Sequence, residues 1–400
     1  MLRDCFFTSI ALNYLPKALA LATSVFDTYQ GSRFVVSLID HRRLSSTQRD
    51  RLSQLVEEFR DQGRELSFVD PLSLYQRADL FMYKFNVVEA CTSVKPAVAA
   101  ALLETAETVT YLDPDTILYT RFPDDADASW EFQVTPHAVA PSEARSLISE
   151  RLFMFYGVFN LGYFAVRKSQ QTLDFLNWWK DFCVDYGADA PQAGLFVDQK
   201  PVDLLPCFVD RVHVLRHPGC NVAWWNIFCD GRGIEPGGRV SFRGQYWPLV
   251  FYHFSNLHHS ADASQRKIAN PLGLHGDRRG EVSVLLSSYP ALAALFQDYE
   301  NRTQVLAPRC KGIGQIIGSS RPAPPVSVRL LLAEALRRGM AYSGDPAQES
   351  PRAVGWRSLR YIARGFSRRD VKTALFSLMS MLRLTLATSL LRFTNSEYRP

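Results

Sequence analysis

The stretch "CFFTSIALNYLPKALALATSVFDTYQGSRFVVSLID", residues 5–40, decides the fold class. It opens on "CFFTSI" (5–10), an apolar, aromatic-rich run that predicts a strand. "NYLPKALALATSVFDTY" (13–29) then follows the helical period, with Pro16 near the first turn, where its missing N–H costs nothing. "RFVVSLID" (33–40) predicts a second strand, dense in β-branched residues and ending in Asp40. Strand, helix, strand is a βαβ unit, and a crossover helix of that kind joins parallel strands.

The same rhythm continues outward. Residues 46–62 predict a helix and "LSFVD" (66–70) a third strand. "FNVVEACTSVKPAVAAALLETA" (85–106) reads as mostly helical with a break or a fresh start at Pro96, and "TVTYLDPDTILY" (108–119) as another strand. Strands separated by helical segments predict an α/β fold with a mostly parallel sheet. Beyond it, "WEFQVTPH" (130–137), "VFNLGYFAVR" (158–167), "RVHVLRH" (211–217) and "LVFYHFS" (249–255) read as strands, and "SQQTLDFLNWWKDFCVDYG" (169–187) as an amphipathic helix. "KGIGQIIGSSRPAPP" (311–325) is a connector; its "GIGQIIG" lacks the preceding strand and the spacing of a dinucleotide loop. These features divide the chain into a main domain (1–265), an extension and linker (266–325) and a basic helical tail (326–400).

Composition narrows the class further. With 400 residues, 47% hydrophobic and 12% aromatic, the chain can bury one large core or two smaller ones, which excludes disordered and fibrous classes. The N-terminus "MLRDCFFTSIALNYLP" lacks the pattern of a secretory signal, and the seven cysteines are odd in number with no CxxC pair. Both point to a reduced, cytoplasmic setting. Residues 351–400 hold ten Arg and Lys against two Asp and Glu, whereas the first 350 hold 35 against 38. The basicity belongs to the tail, so the main domain has no electrostatic case for nucleic acid. Residues 371–393 are apolar but carry Arg383 near their centre, which argues against a membrane-spanning helix. Two readings of the tail remain. One is a basic amphipathic helix on an anionic membrane surface, peripheral to the inner face of the cytoplasmic membrane. The other is a helix packed on the main domain with its basic face in water.

The chemistry-bearing stretch is "YLDPDTILY" (111–119). In an extended strand, residues i and i+2 face the same side, so Asp113 and Asp115 can present both carboxylates to one point, with Pro114 stiffening the backbone between them. Converging carboxylates repel unless a cation compensates, and a divalent ion with oxygen ligands would also accept diphosphate oxygens. A tight turn ending the strand explains the same residues. Asp125 and Asp127 in "PDDADAS" repeat the spacing in a polar loop, which shows how little the pair establishes alone.

Several short segments accompany the acidic pair in order. They are "TSIALNYLPKA" and "CTSVKP" (91–96) before it, then "GVFNLGYFAVRKS" (157–169), "LFVDQ" (195–199), "HPGCNVAWWN" (217–226) and "FYHFSN" (251–256). This succession, over roughly residues 3 to 260, resembles nucleotide-diphospho-sugar glycosyltransferases of the GT-A fold, in particular glycosyltransferase family 8 and related bacterial polysaccharide enzymes. The resemblance implies a Rossmann-like, mostly parallel sheet flanked by helices, with the C-terminal helices added. It implies that Asp113 and Asp115 hold Mn²⁺ or Mg²⁺ on the diphosphate, with His253 completing the metal shell. Asn160 would touch the donor sugar, and Gly162 would let backbone approach it. Asp198 would position sugar hydroxyls and Gln199 would face the anomeric carbon; N-capping of a helix is the structural alternative for Asp198. Thr8, Ser9 and Ala11 would hold base and ribose, with Tyr14 as a stacking partner and Asp40 as an acceptor. Lys95 would reach toward the diphosphate. The donor would be a UDP-sugar, the acceptor a glycan or lipid-linked glycan, and the reaction retaining.

Two departures mark this chain. "HFSNLHHSADASQRK" lacks the family's late Lys-Pro-Trp, and "VDQK" stands where Asp-Gln-Asp is usual. His258, His259 and Lys267 are alternatives for the missing lysine, and the sequence does not choose among them. Trp178–Trp179 and Trp224–Trp225 read as core, although one of the second pair could stack on a sugar. The role of His137 is open. Two rival functions remain: a sugar-phosphate nucleotidyltransferase, which would need a Gly-rich basic loop after the first strand, and a donor-binding scaffold in polysaccharide assembly.

Overall fold

The computed structural model describes residues 4–123, 129–142, 150–255, 257–258, 267–268, 284–285, 289–311, 313, 323–342 and 348–364. The opening βαβ unit forms as its sequence predicts. Strands β1 (Cys5–Ile10) and β2 (Arg33–Leu38) pair in parallel from Cys5↔Arg33 to Ile10↔Leu38, joined by helix α1 (Leu15–Thr28) with Pro16 in its first turn. Helix α2 (Ser46–Arg60) starts at a capping box between Ser45 and Gln48 and leads to β3 (Glu65–Val69), parallel to β2. The next helical segment divides into α3 (Ala78–Lys84), α4 (Val87–Ser93) and α5 (Lys95–Leu102). Pro96 is the second residue of α5, so of the two readings at Pro96 the fresh start is the one observed.

Strand β4 (Thr108–Leu112) pairs in parallel with β1 on the side away from β2. Residues 108–119 are not the single strand that their apolar run predicts. The chain turns after Leu112, Thr116 N donates to Asp113 O at 3.1 Å, and β5 (Thr116–Leu118) leaves the sheet. Pro114 lacks the N–H that a continuous ladder needs there, which is the physical reason for the break.

Strand β6 (Phe132–Pro136), helix α6 (Glu150–Tyr156) and strand β7 (Phe159–Arg167) follow, with β7 antiparallel to both β4 and β6. Helix α7 (Gln170–Tyr186) covers this half of the sheet. The short pair β8 (Asp189–Ala190) and β9 (Leu195–Phe196), then helix α8 (Leu205–Phe208), lead to the edge strand β10 (Val212–Val214). The seven-stranded order is β10-β6-β7-β4-β1-β2-β3, parallel except at β7. Alternation along β1 sends Phe6 into the core under α1 and α2, and Phe7 into the core under α5 and α7. This is the mostly parallel α/β architecture expected from the sequence.

Helix α9 (Trp224–Ile227) and the antiparallel strands β11 (Gly233–Glu235), β12 (Arg239–Phe242) and β13 (Gln245–Pro248) precede β14 (Phe251–His253). Strand β14 pairs with β5, His253 opposite Thr116. Helix α10 (Pro290–Leu306) packs on α1. The helices α11 (Val326–Arg337) and α12 (Pro351–Arg364) pack on each other and share a small core with Leu80 and Tyr83 of α3. Buried Arg329 of α11 donates to Glu89 Oε2 at 2.7 Å and to Lys84 O at 3.0 Å. Among the described residues, no helix is long and apolar enough to cross a membrane. The apolar stretch 371–393, the "DDADA" loop and the "GIGQIIG" segment lie outside the described residues in whole or in large part.

Candidate metal centre

Three carboxylates, one ammonium and one imidazole meet at the C-terminal ends of β1 and β4. Strand order reverses there: β2 lies to one side of β1 and β4 to the other, which is where open α/β sheets bind ligands. The turn after β4 is fixed from both sides. Asp113 N donates to Gly162 O of β7 at 2.9 Å, and Phe254 N donates to Asp115 O at 2.7 Å. The β5–β14 ladder then sets His253 beside the acidic pair. His253 Nε2 lies 3.1 Å from Asp115 Oδ1 and 3.6 Å from Asp113 Oδ2.

One donor atom from each of Asp113, Asp115 and His253 fits within 4.8 Å of the others. Two carboxylates and an imidazole suit a divalent ion. The charges already respond to one another. Burial alone would raise the Asp115 carboxyl, yet the His253 ring and Lys17 hold it below its usual value. Burial would lower the His253 imidazole, and Asp115 and Asp113 together lift it above its usual value.

Asp113 is anchored through its other oxygen. Tyr111 Oη donates to Asp113 Oδ1 at 2.5 Å, and Lys95 Nζ lies 3.2 Å from the same atom. That leaves Asp113 Oδ2 facing His253. Tyr111 carries no sequence signal beyond an apolar strand position, so its part in the site emerges only from the structure.

Lys95 is enclosed, with 3% of its side chain exposed. Its ammonium is 3.1 Å from Asp198 Oδ2, donates to Leu161 O at 3.0 Å, and sits 4.3 Å from the Tyr111 ring centroid. Burial works against this charge, but Asp113 and Asp198 outweigh it and raise the lysine above its usual value. Burial pushes the Asp198 carboxyl up to about 6 against the pull of Lys95. Preceding Asp198, Val197 holds a φ of 38°, left-handed backbone that a β-branched residue rarely adopts. Trp179 Nε1 donates to Asp198 O at 2.8 Å and holds the backbone just after the strained Val197.

Strand β7 supplies the other wall. Its register against β6 shifts between Val134 and Thr135, an irregularity that redirects Leu161 and Gly162. Asn160 Oδ1 accepts from Gly162 N at 3.2 Å, and Asn160 Nδ2 lies 3.3 Å from His137 Nε2. Gly162 makes room for a side chain: a Cβ there would sit 2.6 Å from His253 Cε1 and 2.7 Å from Nδ1. The amide of Gln199 is committed, its Oε1 accepting from Leu161 N at 3.0 Å and its Nε2 donating to Tyr156 O at 2.9 Å. His137 stacks on Phe153 at 5.1 Å, and burial lowers its imidazole to about 4.

The first loop lies at the same sheet edge. Thr8, Ser9 and Ala11 are buried, with Ser9 Oγ 3.5 Å from Ser37 Oγ. Asp40 Oδ2 accepts from Leu12 N at 3.0 Å, so this carboxylate fastens the loop. Tyr14 is 38% exposed. Opposite, the "HPGCNVAWWN" segment is held by Arg232, which is fully buried. Arg232 pairs with Asp230 at 2.8 Å and donates to the Cys220 carbonyl at 3.1 Å. That pairing sits beyond the quoted motif and carries no signal in the sequence. Trp225, from the same segment, presents its edge to His253 at 5.2 Å, a packing role that agrees with the core reading. The side chains of His258, His259 and Lys267 lie outside the described residues.

A mixed α/β sheet with an acidic and imidazole cluster at its switch point is therefore the class that fold and site define. No protein-family model matches the chain. Two proteins of Bacillus subtilis (strain 168) are similar in sequence. The uncharacterized protein YfnF is 30% identical over 185 residues, 42% of this chain and 56% of YfnF. The uncharacterized protein YfnD is 26% identical over 181 residues, 42% of this chain and 54% of YfnD. The chain thus spans about half the length of these curated relatives. Among solved structures, the glycosyltransferase GlyE of Streptococcus pneumoniae TIGR4 is similar at 12% identity and a TM-score of 0.41, over 77% of this chain and 64% of GlyE. The galactosyltransferase LgtC, in complex with donor and acceptor sugar analogs, is similar at 14% identity and a TM-score of 0.35, over 75% of this chain and 99% of LgtC. Superpositions this loose define no residue equivalences.

Proposed function

We propose that the chain is a metal-dependent glycosyltransferase. It moves a sugar from a nucleotide diphosphate sugar, a UDP-sugar, to a glycan or lipid-linked acceptor in surface polysaccharide synthesis, with retention. The observation that carries the reading is the convergence of Asp113, Asp115 and His253 within 4.8 Å at the switch point of the sheet. Carboxylates suit Mg²⁺ and Mn²⁺, and the imidazole favours Mn²⁺. A metal bound there would supply charge neutralisation for the departing diphosphate.

The protein's own residues do the rest. Asp113 and Asp115 would hold the ion with His253, while Tyr111 and Lys95 anchor the Asp113 carboxylate. Asp198 accepts from donor-sugar hydroxyls on the inner side of the cleft, with Lys95 countering its charge. Asn160 touches the sugar, while Gln199 fixes the backbone of β7 that frames it. Thr8, Ser9, Ala11, Tyr14 and Asp40 shape the nucleoside end. The basic tail keeps the enzyme at a membrane surface where lipid-linked acceptors lie.

A panel of UDP-, GDP- and dTDP-sugars with Mn²⁺ tests this reading. The wild-type chain should release nucleoside diphosphate from one of them, and release should stop with EDTA or in Asp113→Asn. Release by Asp113→Asn in EDTA at the wild-type rate would overturn the metal assignment.

A further inference from the structure

The enclosed position of Lys95 changes which cation can meet an anionic ligand. Its ammonium is spent on Asp113, Asp198 and the Leu161 carbonyl, and reaching outward would abandon the buried Asp198 carboxylate and the partly buried Asp113. A second ammonium, Lys17, stands in the first turn of α1.

Helix α1 runs alongside β5 and the residues after it in matched register. Ser24 Oγ accepts from Leu118 N at 3.2 Å, Thr28 O from Arg121 Nη1 at 3.4 Å, and Tyr29 Oη from Phe122 N at 2.8 Å. Extending that register back along α1 brings its first turn beside Asp115. The electrostatics agree, because Lys17 contributes to holding the Asp115 carboxyl low. Lys17 Nζ sits 4.4 Å from the Tyr14 ring centroid. Among the described residues Lys17 has no ion pair with a carboxylate, although Asp115 is near enough to feel its charge. On the α10 side, the Tyr299 hydroxyl is buried and has no hydrogen-bond partner among the described residues, within the influence of both Asp115 and Tyr14.

We propose that Lys17, rather than Lys95, takes a phosphate oxygen of the nucleoside diphosphate at the Asp113–Asp115–His253 centre. The assignment rests on the nucleotide-sugar reading above.

Calorimetric titration of the full chain with UDP in Mn²⁺ decides it, with Mn²⁺ binding alone measured in parallel. Removing one charge-assisted phosphate contact should weaken UDP about tenfold to a hundredfold in Lys17→Gln. Lys17→Arg should recover most of that loss, thermal stability should stay at the wild-type value in both, and Mn²⁺ affinity should not fall in either, because removing a cation beside Asp115 favours the ion. UDP affinity in Lys17→Gln within twofold of wild type overturns the role of Lys17 while leaving the nucleotide reading intact. Absence of UDP binding by the wild-type chain overturns both.

Discussion

Gly162→Ala sets two physical effects of opposite sign against each other. The backbone of Gly162 is not in the left-handed region, so alanine fits its conformation without strain. At such a site the substitution normally stabilises by about 0.4–1 kcal/mol, because the unfolded chain loses freedom. Here the new Cβ would lie 2.6 Å from His253 Cε1, 2.7 Å from Nδ1 and 2.8 Å from Asn160 Oδ1. The first distance is roughly 0.9 Å inside ordinary carbon contact. His253 has little room to retreat, since it is buried and meets the Trp225 edge at 5.2 Å. Overpacking of this kind costs about 1–3 kcal/mol. The net expectation is a loss of about 1–2 kcal/mol in urea denaturation, together with a fall in Mn²⁺ affinity of roughly ten- to a hundredfold, as for other disturbed ligand supports. Urea titration and electron paramagnetic detection of free Mn²⁺ read the two effects separately. A variant at least as stable as wild type, with unchanged Mn²⁺ affinity, refutes the claim that Gly162 exists to seat His253.

Other perturbations probe the buried charges. Lys95→Met leaves Asp113 and Asp198 without their shared counter-ion, and breaking a buried pair costs about 3–5 kcal/mol. Adding Asp198→Asn should restore part of that loss in a double-mutant cycle, and additive losses would count against the bridge. His137 is held neutral by burial, its value lowered to about 4 against about 6.5 when unfolded. Its contribution is therefore fully present above pH 6.5 and is lost as pH falls toward 4, up to roughly 3 kcal/mol. Denaturation of wild type and His137→Gln at pH 7 and pH 4.5 should show the gap between them shrinking at the lower pH; parallel curves would exclude this origin.

The first half of the fold was legible because its signals are local. Hydrophobic period, Pro16 and the β-branched run 33–38 each act over a few residues, and β1, α1 and β2 follow them closely. What stayed illegible depends on distant partners. The pairing of β5 with β14 joins residues 116–118 to 251–253, and nothing near either segment announces the other. Burial is equally non-local. Lys95 begins a helix, an unfavourable place for a cation, and only the arrival of Asp113 and Asp198 explains it. Val197 runs against its own propensity at φ 38°, so the conformation that places Asp198 could not be read from residue type.

The acidic pair shows why the two sequence readings of "YLDPDTILY" were never true alternatives. Extended geometry would have sent Asp113 and Asp115 the same way by strand alternation, and Pro114 forbids that ladder. The chain turns instead, with Thr116 N on Asp113 O at 3.1 Å. The turn lets β5 leave the sheet, and only a departing β5 can pair with β14 and bring His253 to within 3.1 Å of Asp115. A straight strand would have kept the two aspartates together and left them without their third donor. The turn is thus the device that brings Asp113, Asp115 and His253 together. On this argument, substitutions at Pro114 should disturb metal binding through the position of His253 as much as through the carboxylates themselves.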